Sequence, residues 1–358
     1  MKRSLIVFGF ALTLLGTAWA AEPVSLAGKW RFALDRADTG VTEKWFNKDL
    51  DGDIKLPGAL QNQGLGDDIS TNTQWTGGSG VQQWLQPKYE KYRQPGNVKI
   101  PFFLQPEKHY VGSAWYQRNI EIPKAWQRRR VVLTLERAHW ETQAWIDGKP
   151  LGINVSLSVP HVYDLGVGLT PGRHRLSICV NNRMVVDVGP RAHSVSDETQ
   201  GNWNGIVGEL KLSTTSPVWI DDAQVYPNIA KKTALVKVHI GNATGKPGKG
   251  MLKIGAMNQP VTWSEAGGTA ELEVSLGSDA KPWDEFNPAL QKLNVKLTGD
   301  SADNERELVF GLREIGVQGR QFVLNGRPTF FRGTLECAIF PLTGYPPTDV
   351  KAWKRIIR

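Results

Sequence analysis

Short apolar runs with a period of two recur from about residue 28 to residue 313, and helical periodicity is scarce in that span. Examples are Lys29-Trp30-Arg31-Phe32, Ala114-Trp115-Tyr116-Gln117-Arg118-Asn119-Ile120, Val131-Val132-Leu133-Thr134-Leu135, Gln143-Ala144-Trp145-Ile146 and Arg173-His174-Arg175-Leu176-Ser177-Ile178. A period of two places alternate side chains on opposite faces of a strand. Glycines and prolines punctuate the runs, and Asp147-Gly148 reads as a hairpin turn between Ile146 and Pro150. Many short strands with such turns predict a mainly β chain built from sandwiches or jelly rolls.

The pattern divides at Ser216-Pro217. Residues 22–216 form one expected unit, a jelly roll. Residues 217–313 form a second, opening with Val218-Trp219-Ile220 and closing with Lys292-Leu293-Asn294-Val295-Lys296-Leu297. That length, strand density and lack of a cysteine pair fit an immunoglobulin-like sandwich without its disulfide. Residues 57–109 read differently. They hold Gln74-Trp75-Thr76-Gly77-Gly78, Gln83-Trp84 and Tyr89-Glu90-Lys91-Tyr92, a long aromatic loop of the sort that is functional or is an unrecognised element.

Residues 1–20 have the form of a secretory signal. Lys2 and Arg3 precede the apolar stretch Leu5 to Leu15, and Ala18-Trp19-Ala20 is a small-x-small cleavage site. An uncleaved anchor is the alternative. The expected location is exported, periplasmic or extracellular, with no membrane attachment after signal removal. Loss of Lys2 and Arg3 takes the formal charge from +8 to +6. The only tight basic cluster, Arg128-Arg129-Arg130, falls between two strands and reads as a solvated turn, so nucleic acid is not an expected partner. Cys179 sits in a buried-strand pattern and Cys337 lies in a different unit, so no disulfide is expected. No Cys/His spacing matches a metal site, and no cofactor is implied.

From Glu314 the pattern changes. Asn325-Gly326 between apolar runs signals a hairpin, and Thr329-Phe330-Phe331-Arg332-Gly333 reads as a buried strand. Pro346-Pro347-Thr348-Asp349 follows, with Thr348 the expected N-cap of a helix from Val350. A strand and crossover helix require a second parallel strand to pack against. Residues 314–358 are therefore expected to be the first βα unit of a larger third domain, truncated at Arg358.

Arg313-Glu314-Ile315, Leu324-Asn325-Gly326-Arg327-Pro328, Phe331-Arg332-Gly333 and Pro341-Leu342-Thr343-Gly344 resemble the opening of the catalytic barrel of glycoside hydrolase family 2, the β-galactosidase, β-glucuronidase and β-mannosidase family. The resemblance implies a jelly roll and an immunoglobulin-like domain ahead of a (β/α)8 barrel, and a retaining mechanism with both glutamates on later barrel strands. A barrel needs about 250 residues, far more than Glu314 to Arg358 supplies. Neither glutamate is expected here, and Glu136 and Glu141 read as ordinary surface acids. After Arg332-Gly333 the β-galactosidase pattern has an Asn and a sugar-contacting His. Leu335 and Cys337 stand in their places, so galactose specificity does not carry over. Arg332 and Glu336 are the candidates for a sugar-facing edge; the other reading is a packing Arg and a solvent Glu.

Gln200-Gly201-Asn202-Trp203-Asn204-Gly205-Ile206 resembles the family's Trp-x-Gly-Ile segment, where an acid shortly before the aromatic reaches toward sugar. Gly201 takes that place, and Asn202 and Asn204 offer amides that donate and accept. The alternative is a strand corner with Trp203 in the core. Nine of the 14 tryptophans fall in residues 22–216, enough that core packing alone need not use them all. Trp115 and Trp145, in alternating strands, read as core; Trp75 and Trp84, in the polar loop, read as sugar-stacking platforms. The expected function is the non-catalytic N-terminal part of an exported exo-glycosidase acting on an oligo- or polysaccharide. The rivals are a stand-alone carbohydrate-binding or scaffold protein and an inactive gene fragment.

Overall fold

A computed structural model describes residues 22–77, 79–101, 103, 105–335, 340 and 342–358. The signal-like segment, Glu336 and Cys337 lie outside the described residues.

The first unit is two antiparallel sheets. One runs, in spatial order, Lys149–Val155, Glu141–Ile146, Gly172–Asn181, Ser113–Ile122, Gly28–Asp35, Gly52–Leu56. The other runs Val24–Ser25, Gly205–Thr215, Arg130–Ala138, His161–Val167, with Gly58–Ala59 added onto Gly205 and Ile206. Alternation fixes which side chains meet between them. In Ser113–Ile122 the even residues Ala114, Tyr116, Ile120 and Ile122 enter a core shared with Trp30, Leu133 and Leu176. The odd residues face away from it. Trp115 points outward yet is fully buried, because Trp45 and Phe46 of the loop after Asp35 cover it together with Trp145 and Cys179. Phe46 stacks on Trp145 with centroids 5.1 Å apart. Burial in this second cluster pushes the Cys179 thiol up to about 12, so it is an inert filler there. The same outer face is open beyond Gln117, where the loop no longer reaches.

The Asp147-Gly148 turn forms as its sequence predicts, with Ile146 opposite Lys149 and both turn residues at positive φ. The aromatic loop is not open. It folds as a helix at Ser79–Trp84 and a 3-10 helix at Pro87–Arg93, and Trp84, Ile100 and Phe103 make a small core of their own, packed by Trp75, Tyr89 and Tyr92.

The second unit is a single seven-stranded sheet folded over on itself. Its order is Met257–Trp263, Gly248–Ile254, Leu290–Gly299, Ala302–Gly311, Val218–Asn228, Thr233–Asn242, Gly268–Ser275. One parallel bridge, Val218 to Ala302, is the seam. Val236, Val238 and Ile240 from one side meet Leu293, Val295 and Leu297 from the other in one core.

In the third segment Gln321–Leu324 pairs with Arg327–Thr329 about Asn325 and Gly326, whose φ of 53° and 76° are those of a type I′ turn. Asn325 also donates to the Trp283 carbonyl (2.9 Å), tying the hairpin to the second unit. Two expectations change. The strand at 329–333 stops at Thr329, and Phe330 is 85% exposed, because no neighbouring strand lies alongside it among the described residues. The helix Val350–Ile357 is capped by Asp349, not Thr348; its carboxylate accepts from Ala352 N at 2.8 Å. An anionic cap also suits the positive end of the helix dipole.

Candidate functional site

Gly205 explains the Trp-x-Gly-Ile segment. A Cβ there would sit 2.3 Å from the Gly58 carbonyl, so only glycine lets the short strand Gly58–Ala59 pair. That pairing turns the chain sharply before Gly205 and sets Trp203, 6% exposed, against Ala59 and Val207.

Behind Trp203 lies a connected polar cluster. Asp197 is 4% exposed. It accepts from Thr76 N at 2.7 Å and Asn202 N at 3.1 Å, and lies 3.1 Å from His109 Nε2. The His109 ring packs on Trp75, centroids 4.8 Å apart. Asn202 donates to Thr76 Oγ1 and to the Asn182 carbonyl, both at 2.9 Å. Gln61 donates to the Asn202 carbonyl at 3.2 Å. On the other side, His139 lies 4.8 Å from Trp203, ring to ring, and its Nε2 donates to the Ser194 carbonyl. Burial holds its pKa down to about 4, so the ring is neutral and Nδ1 is an acceptor.

Seven buried side-chain atoms among the described residues lack a hydrogen-bond partner, and five fall in this corner and the adjoining aromatic cluster: Gln61 Oε1, Asn202 Oδ1, His139 Nδ1, Trp75 Nε1 and Trp84 Nε1. Unpaired buried polar atoms are costly and rare in native folds, so this concentration singles the corner out.

The third segment docks here. Gly344 rests on Trp203, since a Cβ would come 2.7 Å from the Trp203 Cβ. The Tyr345 ring lies 5.7 Å from Trp203, and its hydroxyl accepts from Asn62 Nδ2 at 3.3 Å. The turn at Gly344 and Tyr345 therefore touches the first unit at Gln61, Asn62 and Trp203.

The site residues read from sequence separate into three groups. Asn204 is a structural lock and not a ligand group: it is fully buried, donates to Gly112 O (3.1 Å) and Val180 O (3.0 Å), and accepts from Tyr116 Oη (2.8 Å). Trp84 is 2% exposed in the core of the aromatic insert, so it has no open face to offer. Asn202 is 2% exposed with its amide nitrogen tied down, and belongs to the corner from inside. Trp75 is half-buried at the rim. Arg332 is exposed, away from these groups in the chain, and Glu336 lies outside the described residues. Gln61, His109, His139, Asp197 and Tyr345 were not legible as site residues. Only Asp197, an acid a few positions before Trp203, carried a local signal.

Each of four surface grooves along the described residues holds at most one acid. Glu136 is engaged by the backbone N–H of Glu209 at 2.6 Å, and Glu141 by Asn181 at 3.1 Å.

No protein-family model matches the chain. A β-glucuronidase of Paenibacillus borealis is 22% identical over 335 residues, covering 87% of this chain and 49% of that protein. The Homo sapiens β-glucuronidase is 24% identical over 366 residues, covering 92% and 51%. A family 2 β-galacturonidase from Eisenbergiella tayi, solved with bound glycerol, superposes with a TM-score of 0.60 at 17% identity, over 87% of this chain and 46% of that one. In sequence and fold the chain is similar to enzymes of glycoside hydrolase family 2. It spans about half the length of these curated relatives. Its fold is mainly β, like that of the family 2 structure it superposes on.

Proposed function

We propose that this chain is the N-terminal, non-catalytic portion of an exported, retaining exo-glycoside hydrolase. Residues 22–216 are its jelly roll, 217–313 its immunoglobulin-like sandwich, and the segment from 314 the opening of its (β/α)8 barrel. The observation that carries this is the docking of Gly344 and Tyr345 on Trp203. Barrel active sites form at the C-terminal ends of strands, and in this reading the turn follows the stretch 329–333 that becomes the first barrel strand. Docked so, it brings the polar corner of the first unit up to the barrel mouth. Trp75, half-buried at the rim, then faces one side of a sugar cleft, with Trp203, Asn202 and Gln61 packed behind it.

Retaining hydrolysis needs an acid and a nucleophile about 5–5.5 Å apart; none of the four grooves holds two acids, and Asp49 and Asp53, in adjoining ones, are both engaged by cations. In this reading the acid and the nucleophile both come from later barrel strands. Exposed Phe330, Phe331, Ile356 and Ile357 support it, since a completed barrel would cover such side chains. The signal-like residues 1–20 support export. The substrate is a terminal sugar of an oligo- or polysaccharide, and the β-glucuronidase relatives make a uronide the first to try.

The test is hydrolysis of nitrophenyl glucuronide, galactoside and mannoside by purified protein of this sequence. No turnover above a vector control is expected; turnover of any of the three overturns the non-catalytic assignment, because positioning cannot replace a missing acid and nucleophile.

A further inference from the structure

We infer that the open half of the outer face of the six-stranded sheet is a groove for acidic polysaccharide, carboxylated or sulfated. The inference stands independently of the glycosidase reading. Strand register builds the surface. Arg31 lies opposite Gln117, and Asn119 lies opposite Arg175 on the next strand. The alternation that sends Tyr116 and Ile120 into the core sends these side chains outward. Two contiguous hollows of about 310 and 360 Å³ result, sharing Arg31 and Asn119.

Cations outnumber acids on this face: Lys29, Arg31, Arg173 and Arg175 line the hollows against two carboxylates, Asp49 and Asp53, while Arg118, from the core-facing side of its strand, donates to the Leu26 and Ala27 carbonyls. Asp49 shows what the arginines are arranged to hold. Both Arg31 and Arg175 bond its Oδ1, the latter at 2.5 Å, while Arg175 also donates to the Asn47 carbonyl at 2.8 Å. Two guanidinium groups thus already converge on a carboxylate. Lys29 pairs with Asp53 at 2.7 Å, but both are well exposed, and such a pair is weak and easily exchanged. Arg173 is exposed at the rim. His174 lines the groove but is committed, its ring nitrogens bonding Asp147 and the Thr170 carbonyl, each at 2.6 Å.

Shape and lining select the ligand. Neighbouring strands lie about 4.8 Å apart, so the cations form a row suited to a chain of spaced anions, and the exposed Asn119 amide suits hydroxyls. Nucleic acid is disfavoured, because the one aromatic in the lining, Trp30, is 1% exposed and offers bases no face to stack on. The groove also lies at the Arg173 end of the strand Gly172–Asn181, whereas the Trp203 corner bonds its Val180 end. The two sites are about 20 Å apart along the strand at about 3.4 Å per residue.

Calorimetric titration of the full chain at low salt tests this, with oligogalacturonate as the carboxylated probe, a heparin oligosaccharide as the sulfated one, and dextran and single-stranded DNA as comparisons. Binding of either acidic glycan, stronger than both comparisons and lost at high salt, is expected. Which one binds identifies the acid group. Arg173→Glu should weaken it about tenfold or more without changing the melting temperature, whereas Lys246→Glu in the second unit should leave it unchanged. Equal weakening by the two variants, DNA binding as tightly as the glycan, or glycan binding no tighter than dextran each overturns the inference.

Discussion

Arg130 lays its guanidinium 3.8 Å from the centre of the Trp219 ring, joining the start of the strand Arg130–Ala138 in the first unit to the first strand of the second. The same guanidinium bonds Asp164 at 2.6 Å. Trp219 in turn lies flat over Gly241, where a Cβ would come within 2.3 Å of the ring. What reads in sequence as a solvated basic turn is, at Arg130, a bridge between the two units. A cation–π contact is worth about 0.5–1 kcal/mol when exposed and about 2 when desolvated. Trp219→Ala should therefore destabilise the chain by about 1–2 kcal/mol and split one calorimetric transition into two. Arg130→Lys, which keeps the charge but loses the flat stack, should have a smaller effect. A single unshifted transition in Trp219→Ala would show that the bridge carries no coupling.

The Gly344 contact predicts a local effect. Gly344 has φ of 83° and no room for a Cβ against Trp203. An alanine there faces about 1–2 kcal/mol of left-handed backbone strain plus the clash. Gly344→Ala should release the turn from Trp203, so that limited proteolysis within 314–358 speeds several-fold while the first unit melts as before. Gly333→Ala, with open space around it, is the control and should cleave at the wild-type rate.

Legibility in the sequence followed the range of the forces involved. The Asn325-Gly326 and Asp147-Gly148 turns are local, set by residues that tolerate positive φ, and could be read directly. The period of two in Ala114 to Ile120 foretold which side chains meet in the core. It did not foretell that Trp115 on the opposite face would be covered by Phe46, because that cover comes from a loop far away in sequence. Trp84 failed for the same reason: a polar neighbourhood in sequence hid an apolar cluster made with Ile100 and Phe103. Asn204 looked like a ligand group because a buried amide that satisfies Gly112 and Val180 is indistinguishable, by residue type, from an exposed one. The His109–Asp197 contact spans 88 residues and leaves no local trace.

His139 makes stability pH-dependent in a defined window. Its pKa is lowered from 6.5 to about 4 by burial. The folded state thus favours the neutral ring, and the unfolded chain binds the proton more readily. The contribution is fully present above pH 6.5 and is lost as pH falls through the window to about 4. At about 1.4 kcal/mol per unit the full effect is on the order of 3 kcal/mol. His139→Gln removes the titration. Urea unfolding at pH 7 and pH 4.5 should show a loss of stability in wild type that exceeds the loss in the variant by about 2 kcal/mol. Equal losses would mean His139 is already free to protonate in the folded state.

Trp84 and Trp75 should separate stability from ligand contact. Trp84 is 2% exposed among Ile100 and Phe103, and large-to-small truncation of a buried Trp costs about 3–5 kcal/mol. That loss should fall on the insert, since its cluster is separate from the main core of Trp30, Tyr116 and Leu133. Trp84→Ala is expected to raise hydrogen exchange across 79–101 by orders of magnitude while leaving strands such as Ser113–Ile122 protected. Trp75 instead packs edge-on to Phe103, centroids 5.4 Å apart, at the rim of the Trp203 corner. Trp75→Phe keeps an aromatic ring there and should preserve the exchange pattern. If the corner walls a sugar cleft, saccharide-induced changes in tryptophan fluorescence should shrink in Trp75→Phe. Unchanged exchange in Trp84→Ala would mean the insert does not depend on its own core, and an unaltered fluorescence response in Trp75→Phe would remove Trp75 from the cleft.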